Sequence, residues 1–531
     1  MRKVVKQVWA GVLGLVMVWA APAMADDHSF AFRQAVAEAA AADRDIAAFY
    51  KARDYNSFWT GGGADQARRR ALMQALGRAA HHGLADRTAL RADLLAQMSG
   101  AKTTRDLGQL EAKLSAVFLD LAIDLQTGIL RPDGLYDAMQ RRVPLRQRAS
   151  YLENLGRSAP AGFFRALPPQ TANYRALLNA KQQMHAVLAQ GGWGAPVPEQ
   201  TLRPGDRGPD VVALRNRLMR MGYLRRSTAA DYNAALTQAV RLFQERHGLE
   251  QDGVAGPGTL REVNQNPQSR LQAIHVALER ERWNNRDLGP RHIEVNLADF
   301  SAKIIDDGKV TFETRSVVGA RNPDRQSPEF SDVMEFMIVN PSWYVPRSIV
   351  TKEYLPELQE DPGAIDHIEL TDENGQQVDR TAIDFSQFDE NSFPFSMRQP
   401  PSQTNALGLV KFMFPNPHNI YLHDTPAKRL FAREVRAFSH GCIRLADPFD
   451  FAYALLARQS RDPKGDFARA LATGKETRID LQQKVPVHLI YRTAITTNKG
   501  EIAFRRDVYG RDALIWEALR NAGVEMPGVQ G

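Results

Sequence analysis

The chain has 531 residues and a mass of 59.3 kDa, more than one ordinary domain holds. Hydrophobic residues make up 44% and charged residues 24%, close to the values for folded soluble proteins, which excludes wholesale disorder. The formal net charge of +7 is a mild excess, and with no base-rich run or aromatic-interleaved basic stretch it makes no case for nucleic acid as a partner.

The first predicted element is an export signal. Arg2, Lys3 and Lys6 precede an apolar run over 8–21, and Ala23-Met24-Ala25 reads as a cleavage site ahead of Asp26-Asp27. The run is shorter than the roughly 20 residues a spanning helix needs. Residues 1–25 are therefore expected to be a cleaved signal peptide, with an uncleaved inner-membrane anchor as the alternative. Cleavage removes three bases and no acids, which lowers the net charge from +7 to +4. Export leads to a disulfide-permissive compartment, yet the chain has a single cysteine, Cys442, which is either an apolar filler or a working thiol.

Residues 26–195 read as a helical region, with Ala-rich amphipathic stretches over 30–50, 66–80 and 110–126 and punctuation at Gly128 and Pro132. The block from Gly191-Gly192-Trp193 to Pro198 marks a boundary. Residues 200–266 form a compact three-helix unit. Val211, Leu214 and Leu218 share one helix face, Ala239, Val240 and Phe243 another, and the turn-rich stretch 252–259 opens a short third helix.

From about residue 290 the apolar period switches to alternation. Strands are predicted over 292–297, 300–305, 309–317, 334–340 and 486–491, with Asp306-Asp307-Gly308 as a hairpin turn, so that 290–495 is a β-rich domain. It carries an insertion at about 350–400. Between residues 353 and 390 there are twelve acids and one base, Arg380, which fits either a solvated excursion or a lid over a cleft. As a lid, its charge would favour an ammonium-bearing co-substrate.

The residues that carry chemistry follow the insertion. Tyr421-Leu422-His423-Asp424 is followed by Ser439-His440-Gly441-Cys442-Ile443-Arg444. A thiol needs an imidazole nearby to become a nucleophile, so Cys and His are the minimum kit for acyl transfer through a thioester. Gly441 lets the backbone bend at the nucleophile, and backbone N–H groups there can hold an oxyanion. Lys428, Arg429, Arg433, Arg436 and Arg444 are candidates for stabilising the thiolate. Tyr421 alternates with His423 and so shares its face, whereas Asp424 points the other way and is not expected to be the acid of a triad, a role a backbone carbonyl can fill. One cysteine with His423 and His440 makes a poor zinc set, so no metal and no other cofactor is expected.

The pattern His423…Ser439-His440-Gly441-Cys442 resembles the YkuD-type L,D-transpeptidase signature. Asn340-Pro341 with Trp343, Asn405-Ala406-Leu407-Gly408, Lys411-Phe412 and Phe414-Pro415-Asn416 agree with it. Gly205, Gly208, Val211, Leu214, Phe243-Gln244 and the 252–259 stretch resemble the peptidoglycan-binding three-helix module, with Arg215 departing from its usual Gln. Together with the helical region and the insertion, the whole mature chain resembles the large YcbB-like branch.

The resemblance implies a multidomain α+β fold, with a helical scaffold, a small binding module, a β-rich catalytic domain and a C-terminal extension at 496–531. It further implies a periplasmic enzyme that joins peptidoglycan stem peptides 3→3 with loss of D-Ala, that forms thioesters with carbapenems, and that acts on stem peptides and glycan; no stable protein partner is inferable from it. Cys442 would be the nucleophile, His423 the base and then the acid, and the Cys442 N–H, with that of Gly441, the oxyanion hole. Arg444, Tyr421, Trp343, His440 and Ser439 are the candidate substrate-binding residues, and His440 is alternatively a loop-ordering one. An L,D-carboxypeptidase, a protein-to-wall attaching enzyme and a non-catalytic wall-bound scaffold remain as alternatives.

Overall fold

A computed structural model describes residues 29–497 and 499–526, so the candidate signal at 1–25 lies outside the described residues. The architecture is multidomain α+β, with helices up to Trp283 and a β-rich domain after it. The chain divides into two compact units, one of residues up to 80 with 86–124 and 146–167, the other of residues 81–85, 125–145 and 168 onward. None of the helices among the described residues is long and apolar enough to cross a membrane.

The first unit is helical. The stretch 30–50, predicted as continuous, is two helices, Phe30–Ala40 and Arg44–Lys51. Asp43 leaves the helical conformation between them, and its carboxylate caps the second by accepting from the amides of Asp45 and Ile46 at 3.0 and 3.2 Å. Glu111 is fully buried and gathers the aromatic segment 49–60, accepting from the amides of Phe58 (2.9 Å) and Thr60 (2.6 Å) and from the Tyr50 hydroxyl (2.7 Å). Burial pushes its carboxyl above the usual range even though these donors pull the other way.

In the second unit, helices Pro209–Arg220, Ala234–Arg246 and Pro257–Val263 enclose a core that includes Val211, Leu214, Leu218, Val240, Phe243 and Leu260. Gln244 explains the turn motif of this bundle. Its buried amide donates to Asp252 (2.7 Å), the Val254 carbonyl (3.0 Å) and Thr259 (3.1 Å) and accepts from the Gly253 amide (2.9 Å), so one side chain ties the whole 252–259 turn. Arg215, the departure from the pattern, is buried and donates to the Asp231 carbonyl at 2.6 Å, a structural use.

The strands of the β-rich domain are β1 (Arg291–Asn296), β2 (Ser301–Asp306), β3 (Lys309–Gly319), β4 (Phe330–Val339), β5 (Trp343–Tyr344), β6 (Glu369–Thr371), β7 (Ser396–Gln399), β8 (Val410–Met413), β9 (Leu422–His423), β10 (Ala437–Ser439), β11 (Ile443–Leu445) and β12 (Thr477–Ile490). The main sheet runs β10-β3-β11-β9-β8-β4-β12-β1-β2, and β2 also pairs with β3, so all but β10 close into a ring. The predicted hairpin joins β2 and β3, with Asp307 and Gly308 both at positive φ (49° and 76°) as a type I′ turn requires. Val410, Phe412, Leu422, Ile443 and Leu445 point into the core of the ring and are fully buried.

The insertion is a folded subdomain, which corrects the reading of a bare solvated excursion. Strands β5-β7-β6 form their own sheet, and Val350, Leu355, Leu358, Ile368, Leu370, Phe385, Phe393 and Met397 make its core. Several of its acids serve local structure, with Asp379, Asp384 and Asp389 each accepting from backbone amides of the turn that follows. The chain ends in β13 (Ala494–Thr496), β14 (Ile502–Phe504) and the helix Arg511–Asn521.

Candidate active site

The site is built by register. Strand β9 pairs in parallel with β11, Leu422 opposite Ile443 and His423 opposite Arg444, and antiparallel with β8, His423 opposite Lys411. Registered residues share a face and neighbours alternate. With Leu422, Phe412, Ile443 and Leu445 turned into the core, Lys411, His423 and Arg444 lie on the opposite face, while Tyr421 and Cys442 flank the paired strands, the Tyr421 ring 5.6 Å from that of His423.

Gly441 adopts φ +110°, a conformation that favours glycine, and a Cβ there would press to 3.1 Å from Ile420 Cδ1. Its carbonyl accepts from the Ser327 hydroxyl at 2.6 Å, and the Ser439 hydroxyl donates to the Cys442 carbonyl at 2.5 Å. The Gly441 N–H donates to Ser439 Oγ at 3.2 Å, so it is engaged rather than free for an oxyanion, contrary to the expectation that it would share that task. The Cys442 N–H has no acceptor among the described residues.

Cys442 is half-buried, and its thiol donates to the Asn419 carbonyl at 3.5 Å. Burial pushes the thiol up to about 11. The amide and phenol of Tyr421, together with the Arg444 guanidinium, favour the thiolate and only partly offset burial. Of the five bases expected to act on the sulfur, only Arg444 does. Lys428 is paired with Asp424 at 2.6 Å, and Arg436 donates to the Ser316 carbonyl at 3.1 Å.

His423 is buried and its Nδ1 faces the carbonyl of Asp424 at 2.5 Å. With Nδ1–H donating there, Nε2 keeps its lone pair, so a backbone carbonyl orients the ring. Burial, then Arg444 and Lys411, lower the imidazole to about 3, against a smaller upward pull from the Asp424 and Leu407 carbonyls. The Asp424 carboxylate points elsewhere, to the Leu409 amide at 2.9 Å and Lys428, and a Cβ at Gly408 (φ +61°) would run into it. With the thiol raised and the imidazole lowered, neither favours a preformed ion pair near neutral pH.

The other predicted residues fall around this pair. Trp343 is half-buried against the core of the insertion, and the Tyr421 phenol lies near enough to Trp343 and Cys442 for both to act on its ionisation. His440 is turned to Glu353, its Nε2 2.6 Å from Oε1. The Arg444 guanidinium makes no hydrogen bond among the described residues, and its Nε is buried without a partner. Among the described residues there is no cluster of three or more His, Cys, Asp or Glu that could hold a metal.

Residues 290–466 match the family described as "L,D-transpeptidase catalytic domain" (YkuD). The chain carries a YkuD-type L,D-transpeptidase catalytic domain. Residues 44–180 match "Scaffold domain" and residues 207–262 match "Putative peptidoglycan binding domain". A curated relative from Haemophilus influenzae (strain ATCC 51907 / DSM 11121 / KW20 / Rd), "Putative L,D-transpeptidase", is 33% identical over 225 residues, covering 42% of this chain and 45% of the relative. The chain therefore spans less than half the length of that relative. Two solved structures are also similar. An L,D-transpeptidase (residues 123-326) from Xylanimonas cellulosilytica DSM 15894 is 18% identical, covers 56% of this chain and all of that one, and has a TM-score of 0.17. A fused Zn-dependent amidase/peptidase/peptidoglycan-binding domain-containing protein from Clostridium acetobutylicum ATCC 824 is 14% identical, covers 55% and 100%, and scores 0.15. Scores this low carry no weight for the fold.

Several residues of the L,D-transpeptidase domain support the site without having been singled out for it. Asn416 accepts from the amides of His418 (3.0 Å) and Ile420 (3.2 Å) and donates to the Ile420 carbonyl (2.8 Å). It thereby shapes the turn that presents Asn419, at φ +53°, to the thiol. Lys411, Ser327 and Glu353 are the others. Asn416 and Lys411 lie in segments that resemble the family. No local pattern marks Ser327 or Glu353.

Proposed function

We propose that the chain is a periplasmic peptidoglycan L,D-transpeptidase acting through a thioester on Cys442. His423 Nε2 takes the thiol proton as sulfur attacks the carbonyl of the third, diamino-acid residue of a tetrapeptide stem. The bond to the terminal D-Ala breaks, and His423 returns the proton to the leaving amine. The side-chain amine of a second stem then attacks the thioester, loses its proton to His423 and leaves a 3→3 cross-link and the free thiol. The Cys442 N–H faces the developing oxyanion. Arg444, without a protein partner, receives a carboxylate of the donor stem, and Tyr421 donates to the sulfur as it gains charge. The three-helix module holds the enzyme on the glycan, and the division into signal (1–25), helical scaffold (26–195), module (200–266), catalytic domain (290–495) and extension (496–531) belongs to the same proposal.

The observation that carries this reading is the register that sets His423 opposite Arg444, two residues past Cys442, with the imidazole tied through Nδ1 and the Tyr421 ring beside it. The test is the intact mass of the protein incubated with a disaccharide-tetrapeptide, beside Cys442→Ala, with analysis of the products. A transient adduct on the wild type alone, release of D-Ala and a 3→3 dimer are expected. Tripeptide without dimer would move the reading to a carboxypeptidase. Wall binding with neither adduct nor D-Ala release would leave a scaffold.

A further inference from the structure

Glu353 is the first acid of the insertion and lies in a π-helical turn, Val350–Tyr354, a local widening that is frequent at functional sites. Its Oε1 accepts from two directions, from His440 Nε2 at 2.6 Å and from Arg325 Nη2 at 2.6 Å. His440 directly precedes Gly441 and Cys442. Arg325 ends the short turn Pro323–Arg325 between β3 and β4, two residues before the Ser327 that holds the Gly441 carbonyl. The next residue of the turn, Tyr354, packs edge-on against Trp343 with ring centroids 6.2 Å apart. Of two consecutive residues of one turn, Glu353 therefore reaches the backbone loop of the nucleophile and Tyr354 packs on the Trp343 ring of the insertion.

We infer that Glu353 is a positioning residue of the L,D-transpeptidase domain: by bridging His440 and Arg325 it sets the Gly441-Cys442 turn and couples the seating of the insertion to the placement of the thiol. Two donors of fixed geometry on one oxygen leave little freedom to the loop residue they share. The bridge accounts for His440, which lies beside the nucleophile but is directed away from a base's role. It also gives the acidic insertion a use apart from its net charge. The consequence for turnover rests on the acyl-transfer reading above, whereas the positioning of the thiol does not.

The experiment is a double-mutant cycle of Glu353→Ala and His440→Ala, with Glu353→Gln as the variant that keeps an accepting oxygen. Each protein is checked for an unchanged far-ultraviolet spectrum and read in two ways. The first is the rate of Cys442 alkylation by iodoacetamide, and the second is kcat and KM for D-Ala release from a tetrapeptide donor. With the loop freed, alkylation is expected to quicken about threefold or more while kcat falls about tenfold or more, with KM within about twofold. The double variant should be no worse than either single, and Glu353→Gln should stay within about twofold of the wild type. Unchanged alkylation in Glu353→Ala, or effects that multiply in the double variant, would overturn the bridge. If the wild type releases no D-Ala the acyl-transfer reading fails, and the alkylation cycle still decides the role of Glu353.

Discussion

Tyr421 presents both its amide and its phenol to the sulfur of Cys442, and apart from Arg444 these are the groups that favour the thiolate against burial. Removing the hydroxyl with Tyr421→Phe should move the alkylation profile of Cys442 to higher pH and slow turnover by about tenfold, the worth of one pKa unit of lost stabilisation. An unshifted profile would show that the phenol only packs. His423 has a different signature. Burial, Arg444 and Lys411 lower its imidazole to about 3, so its base form persists through pH 5. The kcat/KM profile of the free enzyme should therefore show no acidic limb near 6.5. Replacing Arg444 with Gln removes one of the two cations and should raise that limb, whereas a limb near 6.5 in the wild type would mean that another group is the base.

At the scale of elements, the C-terminal segment acquires a role that its residues do not advertise. Tyr509 donates to the Gly319 carbonyl at 2.6 Å, and Arg511, almost wholly buried, reaches Glu329 at 2.9 Å and the Ser327 carbonyl at 2.8 Å. Ser327 in turn holds the Gly441 carbonyl, so the C-terminal segment is tied to the Gly441-Cys442 turn through Ser327. Burial raises the Glu329 carboxyl, but Arg280, Arg511 and Arg141 outweigh it and hold the group below the usual range. Arg511→Ala leaves that carboxylate short of a buried partner and should cost about 3–5 kcal/mol in urea unfolding. Gln244→Leu in the three-helix module, which deletes four hydrogen bonds from a buried turn, should destabilise the module by about 2–4 kcal/mol, read from hydrogen exchange at 252–259.

These partnerships also mark how far the sequence is legible. Cys442 and His423 stand out in the sequence because their residue types fall in one local pattern, which the fold places at the end of β9 and just before β11. The module can be found because its turn glycines and helix faces are periodic. The bridge from Glu353 to His440 spans 87 positions and the contact of Arg511 with Glu329 spans 182, and only the folded insertion and the closed ring bring those groups together. The break at Asp43 is hidden for a simpler reason: an Ala-rich period continues through a cap, and the Asp43 carboxylate that starts the second helix leaves no mark on that period. Likewise β12 extends back to Thr477 because outward charged residues and a bulge between Asp480 and Val485 hide its alternation.

For the whole molecule the consequence is an aversion to acid. His247, His275, His423 and His488 are all buried, and burial lowers each of them, the last three to about 3. A group whose folded pKa is depressed stays neutral in the native state while the unfolded chain takes up the proton below about 6.5. Stability is therefore untouched by these groups above pH 6.5 and falls as pH drops toward 3, by up to about 1.4 kcal/mol per pH unit for each histidine. Urea midpoints should decline steeply from pH 7 to pH 5, with about three to four protons taken up on unfolding, and a flat profile would contradict the burial of these rings.

The same neutrality bears on the lifetime of the one thiol in the chain. Peroxides attack the thiolate, and burial, which pushes the Cys442 thiol up, keeps that form scarce near neutral pH. A thiol that burial keeps protonated is thus shielded from oxidants, in a chain with no second cysteine to rescue a sulfenic acid.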